Sequence, residues 1–173
     1  MATDLMSPDP RKHFFGIMVP VLVIGVLADQ ASKSWASLQA IEPHLLVPGY
    51  LAAYLVPNPG AILGFGGDRA WSSTALVLLG AACTVLLAGL SRRDRVPWRG
   101  ADCLASSLFL AGILGNNIDR VALGYVRDFL VAWAVPTVVF NVADLFVAVG
   151  SVSLLIARYS SIRRFRTALV VSA

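Results

Sequence analysis

Four apolar runs, each bounded by charged or turn-forming residues, organise this chain: about Phe14 to Trp35, Trp71 to Leu90, Ala101 to Ile118 and Val138 to Ala157. A helix needs roughly 17 to 25 residues to cross a hydrocarbon core about 30 Å thick, so each run predicts a membrane-spanning helix. The first outer connection, Ala36 to Ala70, is broken by Pro43, Pro48, Gly49, Pro57, Pro59, Gly60, Gly64, Gly66 and Gly67. It stays rich in strand formers such as Val47, Tyr50, Tyr54 and Val56. It predicts short strands and turns lying on the membrane surface, a lidded or cradle-like platform. A second outer connection, Asp119 to Thr137, is apolar enough to dip into the interface. The loop Ser91 to Gly100 is short and basic.

Hydrophobic residues make up 57% of the 173, and mean hydropathy is +0.74. Soluble domains are usually about 45 to 50% apolar, so composition excludes an ordinary soluble protein. The predicted fold is an all-α membrane protein with four transmembrane helices and a small β-rich extracytoplasmic platform. A tail of residues 1–13 precedes a four-helix domain of residues 14–158, and a basic tail of residues 159–173 follows. The first run resembles an export signal in having Arg11 and Lys12 before it. No small-x-small cleavage site follows Ala28, and three more spans come after, so it is expected to remain as an uncleaved helix.

The net charge of +4 is chiefly a topology signal. Arg11 and Lys12, then Arg92, Arg93, Arg95 and Arg99, then Arg158, Arg163, Arg164 and Arg166 fall on one side, with Lys33, Arg69, Arg120 and Arg127 on the other. The excess of basic residues on the cytoplasmic side predicts that both termini are cytoplasmic. Arginines confined to membrane-flanking segments argue against nucleic-acid binding. Cys83 and Cys103 read as small packing residues, and His13 and His44 stand apart from them, so no metal cluster is predicted. Trp35, Tyr50, Tyr54, Trp71 and Trp133 fit interface anchors.

Against this background the polar groups stand out. Apart from Asp102 they gather at the outer edge: Asp29, Lys33, Asn58, Asn116, Asn117, Asp119, Arg120, Asp128, Asn141 and Asp144. A carboxylate at hydrocarbon depth costs at least about 2.5 to 3.5 kcal/mol and marks a functional site by default. Asp144, inside the fourth run, would lie roughly 9 Å below its top at 1.5 Å per residue. Two carboxyls in a poorly hydrated pocket cannot comfortably both ionise, so they share a proton. One can then deprotonate a water while its partner polarises a carbonyl, with no metal, cofactor or nucleophilic side chain.

Five segments in order resemble the signal peptidase II family, the lipoprotein signal peptidases: DQASK (Asp29 to Lys33), NPGAILGF (Asn58 to Phe65), GILGNNIDR (Gly112 to Arg120), GYVRDF (Gly124 to Phe129) and FNVAD (Phe140 to Asp144). The resemblance implies an aspartic endopeptidase of the bacterial cytoplasmic membrane with its active site near the outer face. Its substrate would be a diacylglyceryl-modified prolipoprotein, cut just before the lipidated cysteine. It implies Asp128 and Asp144 as catalytic dyad and Asn58, Gly60, Asn116, Arg120, Asn141 and Ala143 along the substrate site. Ala143 would leave room beside the dyad, and Asp29, Lys33 and Asp119 would support the fold. The expected partners are the precursors and membrane lipids, with the enzyme a monomer. Leu63 stands where the family more often has an aromatic residue, Asn117 where it more often has an apolar one, and the Asp128 to Asp144 connection is slightly short.

Taken without the resemblance, the same residues allow plainer roles. Asp29 with Lys33 fits an interfacial ion pair, Asp119 with Arg120 a helix-end pair, Asn141 a tie between helices, and Asp128 a solvated loop carboxylate. Lys33 could serve Ser32, Ser34 or a more distant serine as general base. A small ion-coupled transporter or a non-catalytic precursor-binding protein would also use intramembrane acids, although the polar groups lie at one face and no internal repeat is visible.

Overall fold

One stripe of small and charged residues decides how the first helix packs. In the computed structural model, which describes residues 10–60, 70–93, 98, 100–133 and 138–171, helix α1 runs from Pro10 to Gln39. Its buried positions include Gly25, Asp29, Lys33 and Ala36, with Ala40 just beyond its end, spaced three or four apart as one helix face requires. Val19, Ile24 and Leu27 are exposed, as a lipid-facing surface demands. At Gly25 an added Cβ would come within 2.7 Å of the Ala111 Cβ, so a larger residue would push α1 away from its neighbour.

That neighbour, α3 (Gly100–Leu123), is the centre of the bundle and packs against α1, against α2 (Ala70–Arg93) and most extensively against α4 (Val142–Val171). Its buried residues are mostly small or polar, among them Ala105, Ser106, Ser107, Ala111, Gly112 and Gly115. Small residues let helix backbones approach closely where lipid supplies no hydrophobic drive for association. A Cβ at Gly112 would strike the Ala143 carbonyl, and one at Gly115 would strike the Asp29 carboxylate. Both glycines therefore hold the C-terminal half of α3 against α1 and α4. Asn117, the departure noted above, lies against Gly80 of α2.

Among the described residues, three helical stretches, Gly16–Gln39, Gly100–Leu123 and Val142–Ala168, are long and apolar enough to cross a bilayer; Thr74–Leu87 within α2 is a shorter apolar stretch. The fourth run differs from expectation at its start. Residues 138–140 are strand β4 (Val138–Phe140), and α4 begins only at Val142. Two β-branched valines and a phenylalanine suit a pleated edge, and Asn141 then caps the helix.

The platform is a four-stranded antiparallel sheet in the order β1 (His44–Val47), β2 (Leu51–Asn58), β3 (Val126–Ala132) and β4. It draws on both outer connections, whereas strands were expected only in the first. Helix α1 also continues to Gln39, past the expected end at Trp35, because Ala36 and Ala40 pack with Ala53 and Phe129 in the core beneath the sheet. Helix α3 ends at Gly124, whose φ of 82° lets its N–H reach back to the Arg120 carbonyl at 3.1 Å. Val126, Phe129 and Val131 then carry the strand. The expected residues 1–9 of the first tail, Leu63, Gly64, Gly66, Gly67 and Arg69 of the platform, and Arg95 and Arg99 of the basic loop lie outside the described residues.

Candidate active site

Helix α4 opens with a reciprocal cap. The Asp144 N–H donates to Asn141 Oδ1 at 3.0 Å, and the Asn141 N–H donates to Asp144 Oδ2 at 3.0 Å. This is a capping box with asparagine and aspartate in its two places. It fixes Asp144 in the first turn, at the positive end of the helix dipole, where a negative charge is favoured. The expected depth of roughly 9 Å below the top of a span is therefore corrected, since the residues counted as the start of the helix are β4.

Strand β3 supplies the second carboxyl. Asp128 pairs with Val56 across the sheet and is only 2% exposed, so it is no solvated loop residue. Asn141 Nδ2 donates to Asp128 Oδ1 at 2.6 Å and Asn58 Nδ2 donates to Asp128 Oδ2 at 2.8 Å. On the other carboxyl, Asn116 Nδ2 donates to Asp144 Oδ1 at 2.8 Å. Asn141 thus bonds to both acids, which brings a strand residue and a helix residue sixteen positions apart to one point.

The amides are held in orientation by what surrounds them. Lys33 Nζ donates to Asn116 Oδ1 at 2.8 Å, and Asn141 Nδ2 donates to the same oxygen at 3.1 Å. With its oxygen so engaged, Asn116 must turn its NH₂ toward Asp144. The Gly60 N–H donates to Asn58 Oδ1 at 3.0 Å, which likewise turns the Asn58 NH₂ toward Asp128.

Beneath lies a buried ionic layer. Lys33, 0% exposed, is 2.9 Å from Asp29 Oδ2 and 3.5 Å from Asp119 Oδ2. Arg127 donates to Asp119 from its backbone N–H, Nε and a terminal nitrogen, the last at 2.7 Å, and to Gln30 Oε1 at 2.9 Å. Asp29 Oδ1 accepts the Ala143 N–H at 2.9 Å, satisfying one of the donors that a helix start leaves open. The expected Asp119–Arg120 pair is thus replaced: Asp119 binds Arg127 and Lys33. Arg120 instead donates to the Gly60 carbonyl at 3.3 Å, and its buried Nε has no hydrogen-bond partner among the described residues.

The charges nearly balance. Among the described residues, Lys33 and Arg127 answer Asp29 and Asp119, while Arg120 faces both Asp128 and Asp144, leaving one negative charge in excess. Burial raises the Asp128 carboxyl to about 6; the negative Asp144 adds to the rise, while the Asn58 and Asn141 hydrogen bonds and Lys33 oppose it. A single proton on the pair removes the excess.

All the residues expected in the site converge here. Ala143 is fully buried and its Cβ would lie 3.4 Å from a Cβ added at Gly115, so its small size also serves the α3–α4 contact. A serine/lysine pairing finds no support, because Ser32 and Ser34 donate to the Asp29 and Gln30 carbonyls while Lys33 is committed to acids and an amide. Gln30 and Arg127 were missed as site residues. Arg127 precedes the dyad residue Asp128 directly, and Gln30 follows Asp29; adjacency was the one signal for either.

Residues 21–160 match the family model described as signal peptidase (SPase) II. The lipoprotein signal peptidase of Hydrogenovibrio crunogenus is 38% identical over 148 residues, covering 79% of this chain and 81% of that one. The lipoprotein signal peptidase of Xanthomonas euvesicatoria is 34% identical over 156 residues, covering 85% and 86%. Among solved structures, a bacterial membrane enzyme superposes with a TM-score of 0.76 at 25% identity, covering 86% of this chain and 91% of that one. With the family model matched over residues 21–160 and these relatives matched over most of its length, the chain belongs to the signal peptidase II family.

Proposed function

We propose that this protein is an aspartic endopeptidase that removes the signal peptide from diacylglyceryl-modified prolipoproteins, with Asp128 and Asp144 as the catalytic pair. The observation that carries the assignment is the attachment of both carboxyls to Asn141, in a pocket that holds, among the described residues, one negative charge more than its cations balance. In the working state the pair holds one proton. Asp144, at the helix start, takes a proton from water as the oxygen attacks the scissile carbonyl. Asp128 donates its proton to that carbonyl oxygen. Collapse of the tetrahedral species returns this proton to Asp128, and the proton held by Asp144 passes to the departing amine. Asn58, Gly60, Asn116, Arg120 and Asn141 would line the substrate site, where the Arg120 Nε, which has no hydrogen-bond partner among the described residues, would donate to a substrate carbonyl.

In the same reading α2 is a fourth span, both chain ends are cytoplasmic, and the dyad faces outward in the cytoplasmic membrane. The support is the gathering of most basic residues in the two tails and the loop between the second and third runs and the exposure of Trp35, Tyr50, Tyr54 and Trp133 around the sheet, where an aromatic belt belongs. All the site residues come from one chain, so a monomer suffices. A transporter is disfavoured because the dyad and its supporting polar network lie at one end of the bundle.

Purified protein in lipid, incubated with a diacylglyceryl-modified precursor, is expected to release a peptide whose mass ends just before the modified cysteine. Equal release from the unmodified precursor, or none from either, would refute the substrate assignment.

A further inference from the structure

At the opposite end of the bundle, away from the dyad, a half-open groove of about 420 Å³ runs between α3 and α4. One wall is the α3 stripe Ala101, Leu104, Ala105 and Leu108. The other is the α4 stripe Ser153, Ile156, Ala157, Ser160, Ser161 and Arg164. Each set recurs every three or four residues, so two helix faces meet along a seam of about 16 Å at 1.5 Å per residue. The seam is shallow because its walls alternate small residues with leucine and isoleucine.

The groove is amphipathic along its length. Toward the middle of the bundle it is lined by Leu108 and Ile156. Toward the chain ends it closes on Ser160, Ser161 and Arg164. Below it the helix ends are locked: Asp102, fully buried, accepts from Ser161 Oγ at 3.2 Å and lies 3.8 Å from Arg158, which sits over the Trp98 ring at 5.1 Å. Arg158 is thus spoken for. Arg164 is exposed and has no ion pair among the described residues, and Arg163 and Arg166 beside it add positive charge.

We propose that this groove binds one anionic glycerophospholipid of the leaflet nearest the chain ends, with an acyl chain along the α3–α4 seam and the phosphate on Arg164 and Ser160. Charge complementarity decides the occupant: an apolar trough ending in a guanidinium with no acid paired to it among the described residues fits a chain carrying a negative head, and a zwitterionic lipid offers less to Arg163, Arg164 and Arg166. A basic residue near an anionic surface contributes about 1 kcal/mol, so the preference should be several-fold. The site is separate from the dyad and does not depend on the peptidase assignment.

The test is native mass spectrometry of the full chain released from bilayers of phosphatidylcholine and phosphatidylglycerol in equal amounts. One retained phosphatidylglycerol per protein is expected. Arg164→Gln should lower that retention roughly fivefold, from the loss of one basic contact. Ala157→Phe, which fills the trough and leaves every charge in place, should lower it as well, whereas Arg166→Gln, outside the lining, should have a smaller effect. Equal retention of the two lipids, retention unaffected by both groove variants, or a second protein copy in place of the lipid would overturn the proposal.

Discussion

Asp128→Asn and Asp144→Asn should each lower kcat by about 10⁴-fold, the upper range for losing a positioned acid or base and equivalent to roughly 5.5 kcal/mol of barrier. The double variant should lose little more, because groups that act as a unit are not additive. Stability should move differently. Either substitution removes the excess negative charge from a pocket where Arg120 faces both acids. In Asp144→Asn the new amide oxygen can still accept the Asn141 N–H that caps α4, a bond of 3.0 Å in the parent. Each substitution also sets an amide NH₂ where a carboxylate oxygen accepted a hydrogen bond from a neighbouring donor, a loss that offsets part of this gain, so thermal unfolding of the variants should stay near the parent temperature. Single-turnover cleavage of a lipidated precursor, with unfolding measured on the same preparations, checks both halves. Substantial turnover by either variant would remove the dyad from the chemistry.

Lys33→Met should have the largest effect on stability. Lys33 is 0% exposed, between Asp29 and Asp119, and methionine keeps the length while deleting the ammonium. Breaking a buried ion pair from one side typically costs about 3 to 5 kcal/mol, because the remaining charge is left without compensation. Arg127 still serves Asp119, so the burden falls on Asp29. Adding Asp29→Asn should therefore recover part of the loss. Denaturant titration in detergent micelles measures both. A single variant as stable as the parent would mean that the ionic layer does not hold this end of the bundle together. The same ammonium fixes the Asn116 amide, so cleavage should fall further than unfolding alone explains.

How much of this was legible in the sequence depends on the range of the interaction. The apolar runs marked the helices because hydrophobic length is a local property, and the i, i+4 spacing of Asp29 and Lys33 put them on one face of α1. The ordered motifs gathered the site residues into one set. The helix start at Val142 was missed because Val138, Val139 and Phe140 are as apolar as a span, and only their pairing with β3 distinguishes them. Asn141 followed three residues later by Asp144 was the available signal for a cap. Asp119 could not be assigned to Arg127 over its neighbour Arg120, since that choice is made by the turn at Gly124 folding β3 back on α3. Asp128 reads as a loop acid until the strand that carries it, β3, pairs with β2 and β4.

The infrared carbonyl band of the protonated Asp128 carboxyl, followed against pH in the parent and in Asp144→Asn, tests the shared proton most directly. In the parent the band should disappear as pH rises through about 6, since the folded protein holds the proton above the ordinary carboxylate range and releases it there. In Asp144→Asn the loss should come at lower pH, because the adjacent negative charge that helps retain the proton has gone, although burial still holds it above its ordinary value. An unchanged midpoint in the variant would mean that the two acids do not act as a pair.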